Sequence, residues 1–178
     1  MTSAFLNLVL FQASWFAAVV GGAVGWPVTG ILPAAVTVAV HLWFHRRKLQ
    51  VESMVIAAVT LLGLVVETAF IASGAIAYAG STPGSLVPPV WILALWFAFG
   101  TLPSASLKWL EGRWAIQAGL GAIAGPASYY GGEKLGAAAL QLPLPVALLI
   151  IGVGWAFSMP AIFMISSAIS RHLKPAGP

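Results

Sequence analysis

From Met54 to Tyr78 the chain carries one charged side chain, Glu67, in a stretch otherwise built of apolar and small residues. A helix of that length, at about 1.5 Å of rise per residue, crosses the ~30 Å hydrocarbon core of a bilayer. Counted from Met54, the Glu67 carboxyl lies about 20 Å along it, near mid-membrane. A charge at that depth costs on the order of 3 kcal/mol or more, so the side chain must be protonated, paired or wetted by a cavity. The other apolar stretches are therefore read as walls that decide which of these holds.

Those stretches dominate the chain. Charged residues are 7% of it and hydrophobic ones 60%, whereas a soluble domain is about 25% charged. No polar linker separates the apolar blocks, so residues 1–178 read as one integral membrane domain. The expected fold class is all-α, a polytopic membrane helix bundle of six transmembrane helices. The spans fall near residues 4–25, 30–44, 54–78, 89–110, 114–131 and 145–169. Breakers mark the loops: Trp26-Pro27, Gly80 to Ser85, and Pro88-Pro89, which opens the fourth helix where a missing N–H costs nothing. The N-terminal segment lacks the basic stretch of a signal peptide and reads as a retained first helix.

Charge placement sets the orientation. Arg46, Arg47, Lys48, Lys108, Arg113, Arg171 and Lys174 fall on one side of the six-span scheme, and Lys134 alone on the other. The positive-inside rule then puts both termini in the cytoplasm, and an odd number of spans would break the pattern. The net charge of +4 is thus a topology signal. Membrane lipids are the expected partners, and nucleic acid is not. Asn7, Phe11, Ser14, Ala18, Gly21 and Gly25 form a stripe along the first helix that lets backbones approach closely. Gly121 and Gly125, then Gly132 and Gly136, repeat the spacing. The stripes read as packing within the chain, with a homodimer or another membrane protein as the alternative partner.

Few residues can carry chemistry. Asp and Cys are absent and there are four Glu, which removes thiolate nucleophiles and Cys-ligated metals. There is no GxSxG, HExxH, Walker or GxGxxG sequence. Glu67 is the strongest candidate, as acid, base or proton site. His41 and His45 share one helix face at i and i+4, a spacing able to hold a metal. They lack the Glu of HExxH and run into Arg46, so they are weak metal candidates and read rather as polar interface anchors. His172 is the other histidine; three are too few for a membrane di-iron oxygenase, and bis-His haem lacks a second buried ligand. No cofactor is expected.

In the fifth helix Pro126 frees the Ala122 carbonyl, and Ser128, Tyr129 and Glu133 follow. A broken helix of this kind lines substrate cavities; a Pro kink with an aromatic belt and a Glu–Lys cap is the alternative. In the fourth helix Thr101, Pro103, Ser104 and Ser106 repeat the pattern. Trp91 and Trp109 fit the two interfaces, and Trp96 lies deeper. The expected centre is a cavity between helices one, three, four and five. Glu67 is its acid, with Gln12, Ser106 and Tyr129 as hydrogen-bond partners, Trp96 as a wall, and Ser128 and Glu133 as further binding residues.

These motifs together resemble a known family. Asn7, Phe11-Gln12 and Trp15-Phe16 are followed by Pro88-Pro89-x-Trp91, Leu95-Trp96-x-x-Phe99 and Ser106-x-x-Trp109-Leu110. Then come Gly121, Gly125-Pro126-x-Ser128-Tyr129-x-Gly131 and Gly136-Ala137. Over nearly the whole chain the pattern is similar to domain of unknown function 2878, a family of small bacterial inner-membrane proteins. The resemblance implies a multi-pass location in that membrane and brings no established activity. It implies an acidic residue, commonly Asp, at the position of Glu67, and an Asn/His-Ser pair where this chain has Pro103-Ser104-Ala105-Ser106. Family gene neighbourhoods point to fatty-acid and phospholipid modification. The expected function is modification of a membrane lipid or apolar substrate through Glu67. The alternatives are a small proton- or cation-coupled transporter and a structural membrane partner without chemistry.

Overall fold

The computed structural model describes residues 2–26 and 28–173. Pro27 and Lys174, both named above, lie outside the described residues. Among those described there are six α-helices, α1 (Thr2–Ala23), α2 (Val28–Phe44), α3 (Leu49–Ala72), α4 (Val90–Phe99), α5 (Trp114–Lys134) and α6 (Leu144–His172). Three of them, α1, α3 and α6, are long and apolar enough to cross a membrane, and α2 and α4 are shorter apolar helices.

The third span differs from expectation at both ends. It starts at Leu49 rather than near Met54, and it stops at Ala72. Glu67 therefore lies about 8 Å from the helix end, not at the centre. Gly74, at φ +71°, ends the helix. The Ala75 N–H bonds the Phe70 carbonyl at 3.1 Å, and the Gly74 N–H bonds that of Ile71 at 3.0 Å. This is a Schellman closure, which needs a residue able to adopt the left-handed conformation. Residues 76–78 are not helical: they form a strand, β1 (Ile76–Tyr78), antiparallel to β2 (Ala138–Leu140), with Tyr78 opposite Ala138. The chain is predominantly helical, as the all-α expectation has it, and this short ribbon is an addition that sequence periodicity over three residues cannot announce. Glu133 accepts the Leu140 N–H at 3.0 Å and so secures β2.

The fourth span is corrected as well. Expected as one helix to Leu110, it is helical for 10 residues and ends at Phe99. Turns cover Gly100 to Leu107, and a 3₁₀ turn follows at Lys108–Leu110. Pro103 has no N–H for the Phe99 carbonyl and disfavours helix at Leu102. Polar side chains stabilise the break. Asn7 donates to Thr101 Oγ1 at 2.8 Å. Its own carbonyl accepts from the Ser106 hydroxyl at 2.8 Å. In the fifth span, of the two readings open for Pro126, the broken helix does not occur: α5 runs unbroken through Pro126. Gly152 of α6 faces the Ala122 carbonyl there, where an added Cβ would stand 3.2 Å from it.

Part of the small-residue stripes forms helix seams within the chain, at Ser14, Ala18, Gly121 and Gly125, whereas a Cβ at Gly25 or Gly132 would meet nothing within 4 Å. Ser14 meets Thr37 at 2.8 Å, and a Cβ on Gly30 would strike Ala18 at 2.5 Å. α1 thus lies tight on α2, and α5 on α6. An internal repeat emerges from α3–β1–α4 and α5–β2–α6. Gly63 and Gly125 begin matching segments, and each lies flat on a tryptophan. A Cβ would come within 2.2 Å of Trp96 at Gly63 and 2.4 Å of Trp155 at Gly125. The two indoles stack on each other, centroids 5.0 Å apart and 16° from parallel. Four residues after these glycines stand Glu67 and Tyr129, and seven further on the closing Gly74 and Gly136. Gly136, at φ +83°, closes α5 just as Gly74 closes α3. Gly63→Ala and Gly125→Ala should each cost about 1–3 kcal/mol through overpacking against the stacked indoles. Gly119→Ala, where an added Cβ meets nothing within 4 Å, should be neutral or stabilising. Thermal unfolding in detergent distinguishes the three.

Candidate functional site

Between α1 and α5 lies a cavity of about 520 Å³. α1 packs on α2 and α4, α5 packs on α6, and the two helices face each other across the space. They draw together near the ribbon, where Gly131 lies against Trp15. Toward the other end Leu8, Phe11 and Gln12 face Leu120, Ala124 and Ser128 across the cavity. Gln12 and Ser128 are exposed as well as lining it, so they stand at its mouth.

Glu67 lies at the opposite, closed end, with 0% exposure. Three donors converge on its carboxyl. Tyr129 of α5 donates to Oε1 at 2.5 Å, and the Trp96 indole N–H of α4 donates to the same oxygen at 2.8 Å. Tyr78, carried by β1, donates to Oε2. Each comes from a different element, and the sequence explains why. Gly74 turns the chain so that Tyr78 folds back over the last turn of α3. Gly63 lets Trp96 lie against α3 one turn before Glu67. Hydrogen bonds to an acidic acceptor are the stronger kind, and here no basic side chain takes part. Phe70 meets the Tyr129 ring edge-on at 5.7 Å, and Tyr78 meets Trp91 in the same way at 5.7 Å. Both phenols are thus held in place by neighbouring rings.

The expected set divides on this geometry. Tyr129 and Trp96 reach Glu67, with Trp96 a hydrogen-bond donor as well as a wall. Gln12 and Ser128 line the cavity at its mouth. Ser106 is bonded to Asn7 at the break after α4, and Glu133 holds β2. Trp91, expected at an interface, is buried, lines the cavity and donates to the Ala79 carbonyl at 3.1 Å. Tyr78 is absent from the expected set, because on a continuous helix a residue eleven positions after Glu67 stands about 16 Å further along the axis. The Ser73-Gly74 pair was the available signal. Trp155, also unforeseen, lines the cavity, and its buried indole N–H has no acceptor among the described residues.

His41 and His45 lie apart from this cavity. The His41 Nε2 is 3.0 Å from Glu52 Oε2, a partner that sequence inspection passed over. The short turn between α2 and α3 brings His41 and Glu52 level.

Fold and site together define a class: a helical bundle with membrane-length helices around an apolar cavity that ends at a single carboxyl held by phenol and indole donors. The chain belongs to the family described as protein of unknown function DUF2878, whose model matches residues 4–161. No curated protein and no solved structure matches it.

Tyr129→Phe and Tyr78→Phe each remove one donor from a fully buried acidic group. Each should lower stability by about 1.5–3 kcal/mol, and the double variant should lose less than the sum if the donors act on one carboxyl. Unfolding of the two single variants and the double variant in detergent measures this coupling.

Proposed function

We propose that the protein is a six-span bacterial inner-membrane protein with cytoplasmic termini that admits a lipid or other apolar chain sideways between α1 and α5. Glu67 then serves as general acid or base toward a polar functional group that this apolar substrate carries. The observation that carries this reading is the carboxyl itself, sealed by three donors at the closed end of an apolar cavity.

Two groups of tryptophans support the membrane setting. Trp26 lies after α1, and Trp43, Trp109 and Trp114 at the opposite end, all four more than half exposed. Indoles at the two ends of a bundle fit the headgroup belts of a bilayer. The other four, Trp15, Trp91, Trp96 and Trp155, line the cavity. The turns after α4 are non-helical backbone at membrane depth, which a bilayer tolerates where protein covers them; Thr101 and Leu102 are buried.

The size of the cavity falls within the 300–1,000 Å³ range of small-ligand sites. Its walls are aromatic and aliphatic, so a hydrocarbon chain fits it and a hydrated ion does not. Donors around Glu67 compete with a cation for the same lone pairs, which speaks against a cation-coupled site. The buried Trp155 N–H, beside the Tyr129 side chain, offers a hydrogen bond to an acceptor oxygen of the substrate, such as an ester carbonyl. Tyr129 and Tyr78 can return a proton to the carboxyl or relay one from it, because a phenol hydroxyl both donates and accepts.

The test compares lipid extracts from cells with the gene deleted, restored, and restored as Glu67→Gln or Ala127→Trp. Ala127 lines the cavity from α5, and an indole there takes up cavity space while leaving the Glu67 carboxyl in the sequence. A lipid species that shifts on deletion and returns with the wild type but with neither variant supports the reading. Restoration by Glu67→Gln makes the carboxyl structural. No lipid change in any strain, with proton-linked flux in vesicles, transfers the site to a transporter.

A further inference from the structure

The geometry points to a second, separate site: a divalent transition-metal site of the zinc class, formed by His41, His45 and Glu52 where α2 turns into α3. One candidate ligand atom from each residue lies within 4.8 Å of the other two. His41 and Glu52 are buried, and His45 is half-buried.

The hydrogen bonds fix what these groups have to offer. His45 Nδ1 lies 2.9 Å from the His41 carbonyl oxygen. A carbonyl only accepts, so Nδ1 carries the proton and Nε2 of His45 keeps a free lone pair. An imidazole that donates one nitrogen to a backbone carbonyl is oriented as metal-bound histidines commonly are. On His41 the Nε2 faces Glu52, while the buried Nδ1 has no partner among the described residues. The rings of His41 and His45 are stacked with centroids 4.2 Å apart. The His41 Nε2–H donates to the Glu52 carboxylate, and a metal ion would take the place of that proton, since ligands bind deprotonated.

Distances fit a metal with modest rotation. Two ligands each about 2.0–2.1 Å from a tetrahedral ion stand roughly 3.3 Å apart, and His41 Nε2 and Glu52 Oε2 are 3.0 Å apart. A void of about 10 Å³ borders both imidazoles. Ser104, in the turns after α4, donates to Glu52 Oε2 at 2.7 Å and orients the carboxylate. Arg46, whose charge would oppose a cation, is held over the Trp43 ring at 5.6 Å. Two imidazoles and one carboxylate are a donor set suited to zinc and its neighbours.

The experiment uses the full-length protein in detergent, titrated with Zn²⁺ and, for its spectrum, Co²⁺. The wild type should retain about one zinc per chain after dialysis and give the absorption of low-symmetry Co²⁺. His45→Gln keeps an N–H donor for the His41 carbonyl but loses the ligand; it should abolish both signals while preserving the unfolding temperature of the metal-free protein. Ser104→Ala should weaken zinc binding about 10–100-fold as an outer partner. His172→Ala, outside the cluster, should bind as the wild type does. Zinc retention by His45→Gln equal to that of the wild type overturns the site. So does a wild type that holds no zinc, which would leave His41 and Glu52 as a proton-holding pair.

Discussion

The arrangement depends on how one acidic side chain is buried in an apolar bundle. Glu67 is satisfied by two phenols and an indole rather than by a cation. Because these donors sit on α4, α5 and β1, satisfying the carboxyl also fixes three elements relative to α3. Unmet hydrogen bonds in an apolar interior are costly, so the bundle is held by polar convergence where the apolar effect between helices is weak. The glycines complete the logic: Gly63 and Gly125 remove the bulk that would keep Trp96 and Trp155 from the axis.

A similar economy governs the end of the bundle away from the ribbon. Pro103 makes a continuous fourth helix unfavourable, and Asn7, Ser106 and Thr101 satisfy the irregular backbone that results. Ser104 reaches across to Glu52, so the same segment supports the His41–Glu52 pair. A break in one helix thus becomes a joint among α1, α3 and α4. Glu67 and this second polar centre share no hydrogen bond, and each has its own set of partners.

Much of this was readable in the chain. Helix existence follows from runs of apolar residues, and of the three hydrogen-bond partners expected for Glu67 only Tyr129 reaches it. Ser106 bonds Asn7 instead, Gln12 makes no bond to the carboxyl, and Trp96, expected as a wall, also donates to it. The small-residue stripe on α1 announced its seam with α2. What escaped was set by backbone closure. The turn at Gly74 that sends Tyr78 back to Glu67 depends on a left-handed residue near a helix end, and hydrophobicity continues past it unchanged. The break after Phe99 escaped for the opposite reason, since a proline alone does not tell a kink from a stop: Pro126 is carried through α5 and Pro103 is not. The difference lies in tertiary partners, namely Gly152 facing one freed carbonyl and Asn7 stabilising the other segment. Glu52 went unnoticed because its partner lies on the preceding helix, across the turn.

The order of the donors along the chain carries a consequence for biosynthesis. Tyr78 follows Glu67 by 11 positions and Trp96 by 29, but Tyr129 comes 62 positions later. At about 5–20 residues per second of synthesis, α3 waits roughly 3–12 s for its last phenol. For that interval the nascent chain holds a carboxyl whose last donor has not yet been synthesised. Until α5 is made, Tyr78 and Trp96 are the two of its three donors that Glu67 can have.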